Sequence, residues 1–375
     1  VRVLHLVSIA TMTGPADPAL TIAAAQRRLL GWDVTIAHDQ RRAGDMPTQT
    51  RAYAVPVEGA LVLCAKGALL AALGDLRRLR AASTRYDVIH AHHGHDHALA
   101  ALARQAGGAR LVRSLHHPRA LAPRVGQRLS FARTDAFTVV AEAHRRRLLE
   151  AYPALAAKPI AVMPGAVDLE RFHPDRDGAA ARRELGIADD AFVVGMVARF
   201  QAGRRQEHLL QAIEGVRRRV GVAPSVVLIG KGETQPAIEA EIMRLGVGAN
   251  VRLAGFRGDD LADYVRACDV TVLLREGSEA GCRAVLQSMA CGVPVVGAEL
   301  PAIVDAIGDD GRAGWLVPEG DVDALAGAIA EAWVMRGETL RAMAREARAR
   351  MEARYSERAR LDRLTPLYKQ ARALP

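Results

Sequence analysis

Two arginines, Arg199 and Arg204, stand five residues apart just past the apolar run 191–197. Guanidinium groups leaving a strand end converge on one crevice, and their forked N–H donors suit the paired charges of a diphosphate. The segment 270–296 supplies a second element: a strand ending at Leu274, a loop of small residues through Gly277, Ser278, Ala280 and Gly281, and a helix starting near Cys282. Such a turn offers unpaired backbone N–H groups and the positive end of a helix to an anion. Glu279 sits at the mouth of this loop, where a carboxylate repels phosphate but accepts hydrogen bonds from sugar hydroxyls. Alone, the loop fits equally well an ordinary strand-loop-helix turn with a solvated Glu. The two arginines shift the reading toward a phosphorylated ligand, with Arg205 left as a solvated helix charge.

Other residues with chemical potential carry less. Histidines 90, 92, 93, 95 and 97 cluster densely, but only Asp96 accompanies them as a carboxylate, so a metal site is not the preferred reading. Gly230-Lys231-Gly232 follows a strand, yet no third glycine stands at the dinucleotide-loop offset and no Gly-Lys-Ser/Thr follows. The pairs Asp175/Asp177 and Asp321/Asp323 fall in connector and loop positions, which speaks against divalent-metal ligands. Cys64, Cys268, Cys282 and Cys291 lack C-x-x-C or Cys/His spacing and are expected to be free thiols.

The elements that must position these residues alternate β-branched runs with amphipathic stretches, the pattern of parallel sheets covered by helices on both faces. Strands are expected at residues 1–7, 33–37, 87–90, 110–114, 136–140 and 160–163, then at 191–197, 225–229, 251–254, 270–274 and 293–296. Residues 164–174 read as a connector. A length of 375 residues suits two such α/β domains, and a ligand is expected in the cleft between them at the carboxyl ends of their strands. No apolar run reaches the roughly 18 residues of a membrane span. The longest, 59–73, carries Lys66 and is expected as an amphipathic helix. The opening strand-like residues lack a secretory-signal pattern, so a cytoplasmic location is expected.

Charge is uneven. Of the net +9, residues 1–165 carry +11 and the rest −2. The first half should therefore favour an anionic partner, such as an acidic lipid surface or a phosphorylated saccharide. Nucleic acid is not expected, because aromatic residues make up only 4% of the chain and no stacking platform accompanies the arginines.

Four stretches together resemble the retaining family-4 glycosyltransferases of the GT-B fold: MPGAVDLERFHP from Met163, ARFQAGRRQEHLLQAI from Ala198, GSEAGCRAVLQSMACGVPVV from Gly277, and YSERARLDRLTPLY from Tyr355. The resemblance spans essentially the whole chain. It implies an acceptor-binding Rossmann-like domain at 1–168 and a donor-binding one at 169–356, facing each other across a cleft, with a C-terminal helix of about 357–375 crossing back to the first.

It implies, further, that Arg199 and Arg204 hold the donor diphosphate and that Glu279 contacts the sugar. His116, or its neighbour His117, matches a family histidine near the sugar. Gly14 is what remains of a glycine-rich turn beside the substrates, with Asp17 either near the acceptor or merely solvated. Gly277, Ser278, Ala280, Gly281, Cys282 and Arg283 complete the donor set. At the place of the family's second glutamate, eight residues after Glu279, stands Gln287. It can still bond two hydroxyls, without charge assistance.

The implied reaction is metal-independent transfer of a sugar from a nucleoside-diphosphate donor to a hydroxyl of a saccharide or glycolipid, such as a bacterial lipopolysaccharide precursor. Peripheral contact with an anionic membrane is the second expected partnership. A sugar-nucleotide-binding protein with little turnover, or a UDP-sugar epimerase, are the alternatives.

Overall fold

The computed structural model describes residues 1–12, 14–59, 61–63, 69–117, 120–121, 126–275 and 282–373. These fall in two compact units. One holds Val1–Gly165 and the segment from Glu357 onward; the other holds described residues between Ala166 and Ser356.

The first unit contains β1 (Arg2–Val7), β2 (Asp33–His38), β3 (Val88–Ala91), β4 (Arg110–Leu115), β5 (Ala136–Val139) and β6 (Ile160–Val162). They form one parallel sheet in the order β2-β1-β3-β4-β5-β6. Alternation along β1 sends Val3 and Val7 to one face and Leu4 and Leu6 to the other, and each face has its own buried cluster. The first face is covered by the helix Ala16–Leu30 and by the helix Glu357–Ala373, which contributes Leu364, Leu367 and Tyr368.

The second unit contains β7 (Val193–Val197), β8 (Ser225–Ile229), β9 (Val251–Gly255), β10 (Val270–Leu273), β11 (Val295–Ala298) and β12 (Gly314–Val317), also all parallel. Their order is β12-β11-β10-β7-β8-β9. Val194 and Met196 face one cluster and Val193 the opposite one, so this sheet too is buried on both sides.

Two sequence expectations change. Residues 59–73 are not one amphipathic helix: Leu61 and Leu63 are buried in non-helical chain, and the helix in this region is Leu69–Arg85. Leu61 and Leu63 are fully buried on either side of Val62, whose N–H donates to Asp75 at 3.1 Å rather than to a helical carbonyl. β12, absent from the expected strands, is a four-residue edge strand opening with Gly314, too short to show a period. Among the described residues no helix is long and apolar enough to cross a membrane.

Candidate functional site

In the second unit the strand order reverses between β7 and β10, and loops leaving neighbouring strands at such a point diverge to opposite faces and open a ligand crevice. Arg199 and Arg204 follow β7; Arg275 follows β10. Both loops therefore leave the sheet at its switch point.

The loop after β7 is held tightly. Gln206, 2% exposed, donates its side-chain amide to the Arg199 carbonyl at 2.9 Å. Gln201 N–H donates to the same carbonyl at 3.0 Å and Arg204 N–H to Gln201 O at 3.2 Å. Gly203 and Arg205 take positive φ, +80° and +67°, which only the glycine adopts without strain. The Arg199 side chain is exposed and has no carboxylate partner among the described residues. Partial burial, then the charges of Arg199 and Arg275, pull the Arg204 guanidinium below its ordinary pKa. Arg275 pairs with Glu319 beyond β12. Like charges held this close repel one another, and an anion between them relieves that repulsion.

Gly230 and Gly232 serve this loop, not a dinucleotide. A Cβ at Gly230 would lie 1.9 Å from Ala198 O and one at Gly232 2.1 Å from Phe200 O. The chain after β8 thus runs against the chain after β7, joined by Phe200 N–H to Lys231 O at 3.1 Å and Thr234 N–H to Phe200 O at 3.1 Å. Lys231 itself stands 5.0 Å from the ring of Phe256, which is 66% exposed.

Glu279, Gly277, Ser278, Ala280 and Gly281 lie outside the described residues. Cys282 precedes the helix Arg283–Ala290 with φ +42° and is buried, its carbonyl accepting from Val285 and Leu286 N–H. Arg283 is exposed at the first turn, and Gln287 is half-buried one turn on. Cys268, Cys282 and Cys291 are buried and form no disulfide among the described residues, and burial raises the Cys268 and Cys291 thiols to about 12; Cys64 lies outside the described residues. The aspartate pairs have structural work. Asp177 and Asp321 accept N–H groups at the starts of their helices, Asp323 pairs with Arg219 at 2.8 Å, and Asp175 with His173 at 3.2 Å.

In the first unit the order reverses between β1 and β3. Gly14, at φ +53°, lies in the turn after β1, and Asp17 in the first turn of the helix that follows. On the sheet face covered by the helix Glu357–Ala373, positions of period two carry His5, His90, Ser114 and Thr138, with His92 and His116 just beyond their strands. They are linked continuously. Gln26 Oε1 meets His5 Nε2 at 2.8 Å, His5 Nδ1 meets His92 Nε2 at 2.8 Å, and His92 Nδ1 meets His116 Nε2 at 3.0 Å. Tyr368 OH lies 2.7 Å from His90 Nδ1, and His90 Nε2 lies 2.7 Å from Ser114 Oγ.

Burial holds these imidazoles neutral: His5 is lowered to about 4, His116 to about 3, and His90 and His92 well below their ordinary range. The Arg113 charge adds to the effect at His90, His92 and His116. Among the described residues, His5, His90 and His92 come close enough to share a metal ion. Every ring nitrogen of the three already has a hydrogen-bond partner, and a dication would add to the positive potential of Arg113. Asp96, which could offset it, accepts Ser8 and His93 N–H at 3.1 Å instead. His97 bonds Thr134 Oγ1 at 2.7 Å, away from the group.

Sequence reasoning missed His5, Gln26, Gln206 and Arg275. His5 and Gln26 gave no signal in sequence, because their partners become neighbours only through the sheet order. Gln206 and Arg275 gave none beyond adjacency to a strand end.

Comparisons agree with this architecture. The Glycosyltransferase Family 4 pattern matches residues 19–171, and that of Glycosyl transferases group 1 matches 177–350. A D-inositol 3-phosphate glycosyltransferase of Saccharomonospora viridis is 33% identical over 311 residues, covering 77% of this chain and 71% of that enzyme. Its namesake in Kribbella flavida is 33% identical over 268 residues, covering 65% of this chain and 62% of that enzyme. Among solved structures, Anabaena HepE in complex with UDP superposes with a TM-score of 0.81 at 20% identity, covering 98% of this chain and all of that one, a likeness of fold. With two parallel sheets in this order, and sequence matches running through both, the chain belongs to the family-4, group 1 glycosyltransferases of the GT-B fold.

Proposed function

We propose that the chain is a retaining, metal-independent glycosyltransferase that moves a sugar from a nucleoside-diphosphate donor to a hydroxyl of an anionic acceptor. The observation that carries this reading is the group of Arg199, Arg204 and Arg275 at the switch point of the second sheet, with Arg204 destabilised as a cation by partial burial and then by the charges of its neighbours. As the bond to the anomeric carbon breaks, negative charge grows on the diphosphate, and these guanidiniums stabilise that charge without reorganising. Glu279 and Gln287 are proposed to hold donor hydroxyls, and His116 to bond a substrate hydroxyl. The departing phosphate takes the acceptor proton on the same face, which gives retention. Gly14 and the amides of the 277–283 segment complete the donor contacts.

The acceptor class follows from charge and kinship. The basic first half and the relatives named for inositol 3-phosphate both favour a phosphorylated hydroxyl compound, soluble or displayed as an envelope glycolipid. Leu70 and Leu73, 86% and 57% exposed on the helix Leu69–Arg85 beside exposed Arg77 and Arg78, support peripheral contact with an anionic membrane at its cytoplasmic face.

The test is calorimetry with UDP, GDP, ADP and CMP in chelator, followed by NMR of the product's anomeric configuration. Binding of one diphosphate, lost in Arg204→Ala, and a product of retained configuration are expected. Absence of nucleotide binding, or an inverted product, overturns the proposal.

A further inference from the structure

The histidine network of the first unit has a direction. Gln26 places its Oε1 on His5 and its Nε2 3.3 Å from Tyr368 OH. An amide oxygen only accepts, so His5 must carry its proton on Nε2 and accept on Nδ1. His92 then donates from Nε2 to His5 and accepts on Nδ1, and His116 donates from Nε2 to His92. In the other branch Tyr368 accepts from Gln26 and so donates to His90 Nδ1, leaving His90 Nε2–H for Ser114. All four imidazoles thereby hold the proton on Nε2, the tautomer an isolated neutral imidazole also prefers. Rotating the Gln26 amide would force all four into the disfavoured form.

We infer that Gln26, His5 and His92 are positioning residues that fix His116 as its Nε2–H tautomer, so that His116 offers a lone pair on Nδ1 and selects a substrate group able to donate a hydrogen bond. His116 is half-buried, and its Nδ1 has no partner among the described residues. A neutral imidazole whose second nitrogen is already bonded has a defined role at the first, the logic by which buried partners orient histidines in other sites. Loss of Gln26 Oε1 removes the anchor of the whole series, although Gln26 lies two histidines away from His116. Only the catalytic consequence rests on the function proposed above; the tautomer itself does not.

The experiment is long-range ¹H–¹⁵N correlation of the imidazoles in the full ¹⁵N-labelled chain at pH 7.5, with the His116 signals identified by their loss in His116→Gln. The parent should show His116 protonated at Nε2, with an unprotonated Nδ1. Gln26→Met should move this pattern toward an average of both tautomers and lower kcat by about tenfold with donor KM unchanged. Tyr368→Phe keeps the ring packing, releases the Gln26 amide and should move the pattern in the same direction, so it decides the matter if Gln26→Met does not fold.

A parent His116 protonated at Nδ1, or already averaged, overturns the inference, as does an unchanged pattern in a folded Gln26 variant. Normal transfer by His116→Gln would instead remove the substrate role of His116 while the tautomer pattern still decides the network.

Discussion

Gln206 reaches back from the first turn of its helix to donate its side-chain amide to the carbonyl of Arg199, so a buried neutral side chain fixes the backbone that presents an exposed cation. Gln206→Leu keeps the volume and leaves that carbonyl without this donor. The cost is expected at about 1–3 kcal/mol, and affinity for the nucleoside diphosphate should fall about tenfold. Denaturant midpoints and calorimetry on the same samples would measure both.

Arg204→Lys retains charge but loses the fork that meets two phosphate oxygens. Diphosphate binding should weaken less than in Arg204→Ala, and its salt dependence should persist in the lysine variant and flatten in the alanine one. Titrations at two ionic strengths check this.

Acid should unfold the first unit through its histidines. An unfolded imidazole takes a proton below its ordinary pKa near 6.5, whereas folded His5 does so only near 4 and His116 near 3. Stability is therefore full above about pH 6.5 and lost as pH falls toward 4, at about 1.4 kcal/mol per pH unit for each histidine involved. Denaturation midpoints from pH 7.5 to 4.5 should fall with a slope of several protons, and His92→Gln should lower that slope.

Gly230→Ala should destabilise the second unit by about 3 kcal/mol, because its Cβ would meet Ala198 O at 1.9 Å and φ is +153°. Lys231→Ala, in the same turn, should leave the melting temperature nearly unchanged. Thermal melts of the two variants distinguish a backbone crossing from a phosphate loop.

If the Leu69–Arg85 helix touches lipid, Leu70→Ser with Leu73→Ser should reduce sedimentation with anionic vesicles and leave nucleotide binding unaffected. Neutral vesicles should bind neither form well.

How much could be read beforehand depended on the physics of each feature. The strands of both sheets were legible because buried parallel strands are continuous apolar runs, and Val226-Val227-Leu228-Ile229 has little other use. Arg199 and Arg204 were legible because they follow such a run. β12 was not: four residues with a glycine and a tryptophan show no periodicity. His5 was not singled out within its strand, since its meaning lies in Gln26 and His92, residues distant in sequence that only the sheet order brings together. The crowded histidines 90 to 97 were disfavoured as a metal site for want of carboxylates, and strand and helix geometry divides them among a network, a helix start and a contact with Thr134.

Tyr368 is made 278 residues after His90, whose Nδ1 its hydroxyl meets at 2.7 Å. Until the ribosome has translated the helix Glu357–Ala373, the nascent first unit lacks Leu364, Leu367 and the phenol that joins His90 and Gln26, while the second unit can already close its own sheet. The first unit should thus finish folding only when the last helix is made, long after its own strands, and its partly covered apolar face is where a chaperone would bind meanwhile.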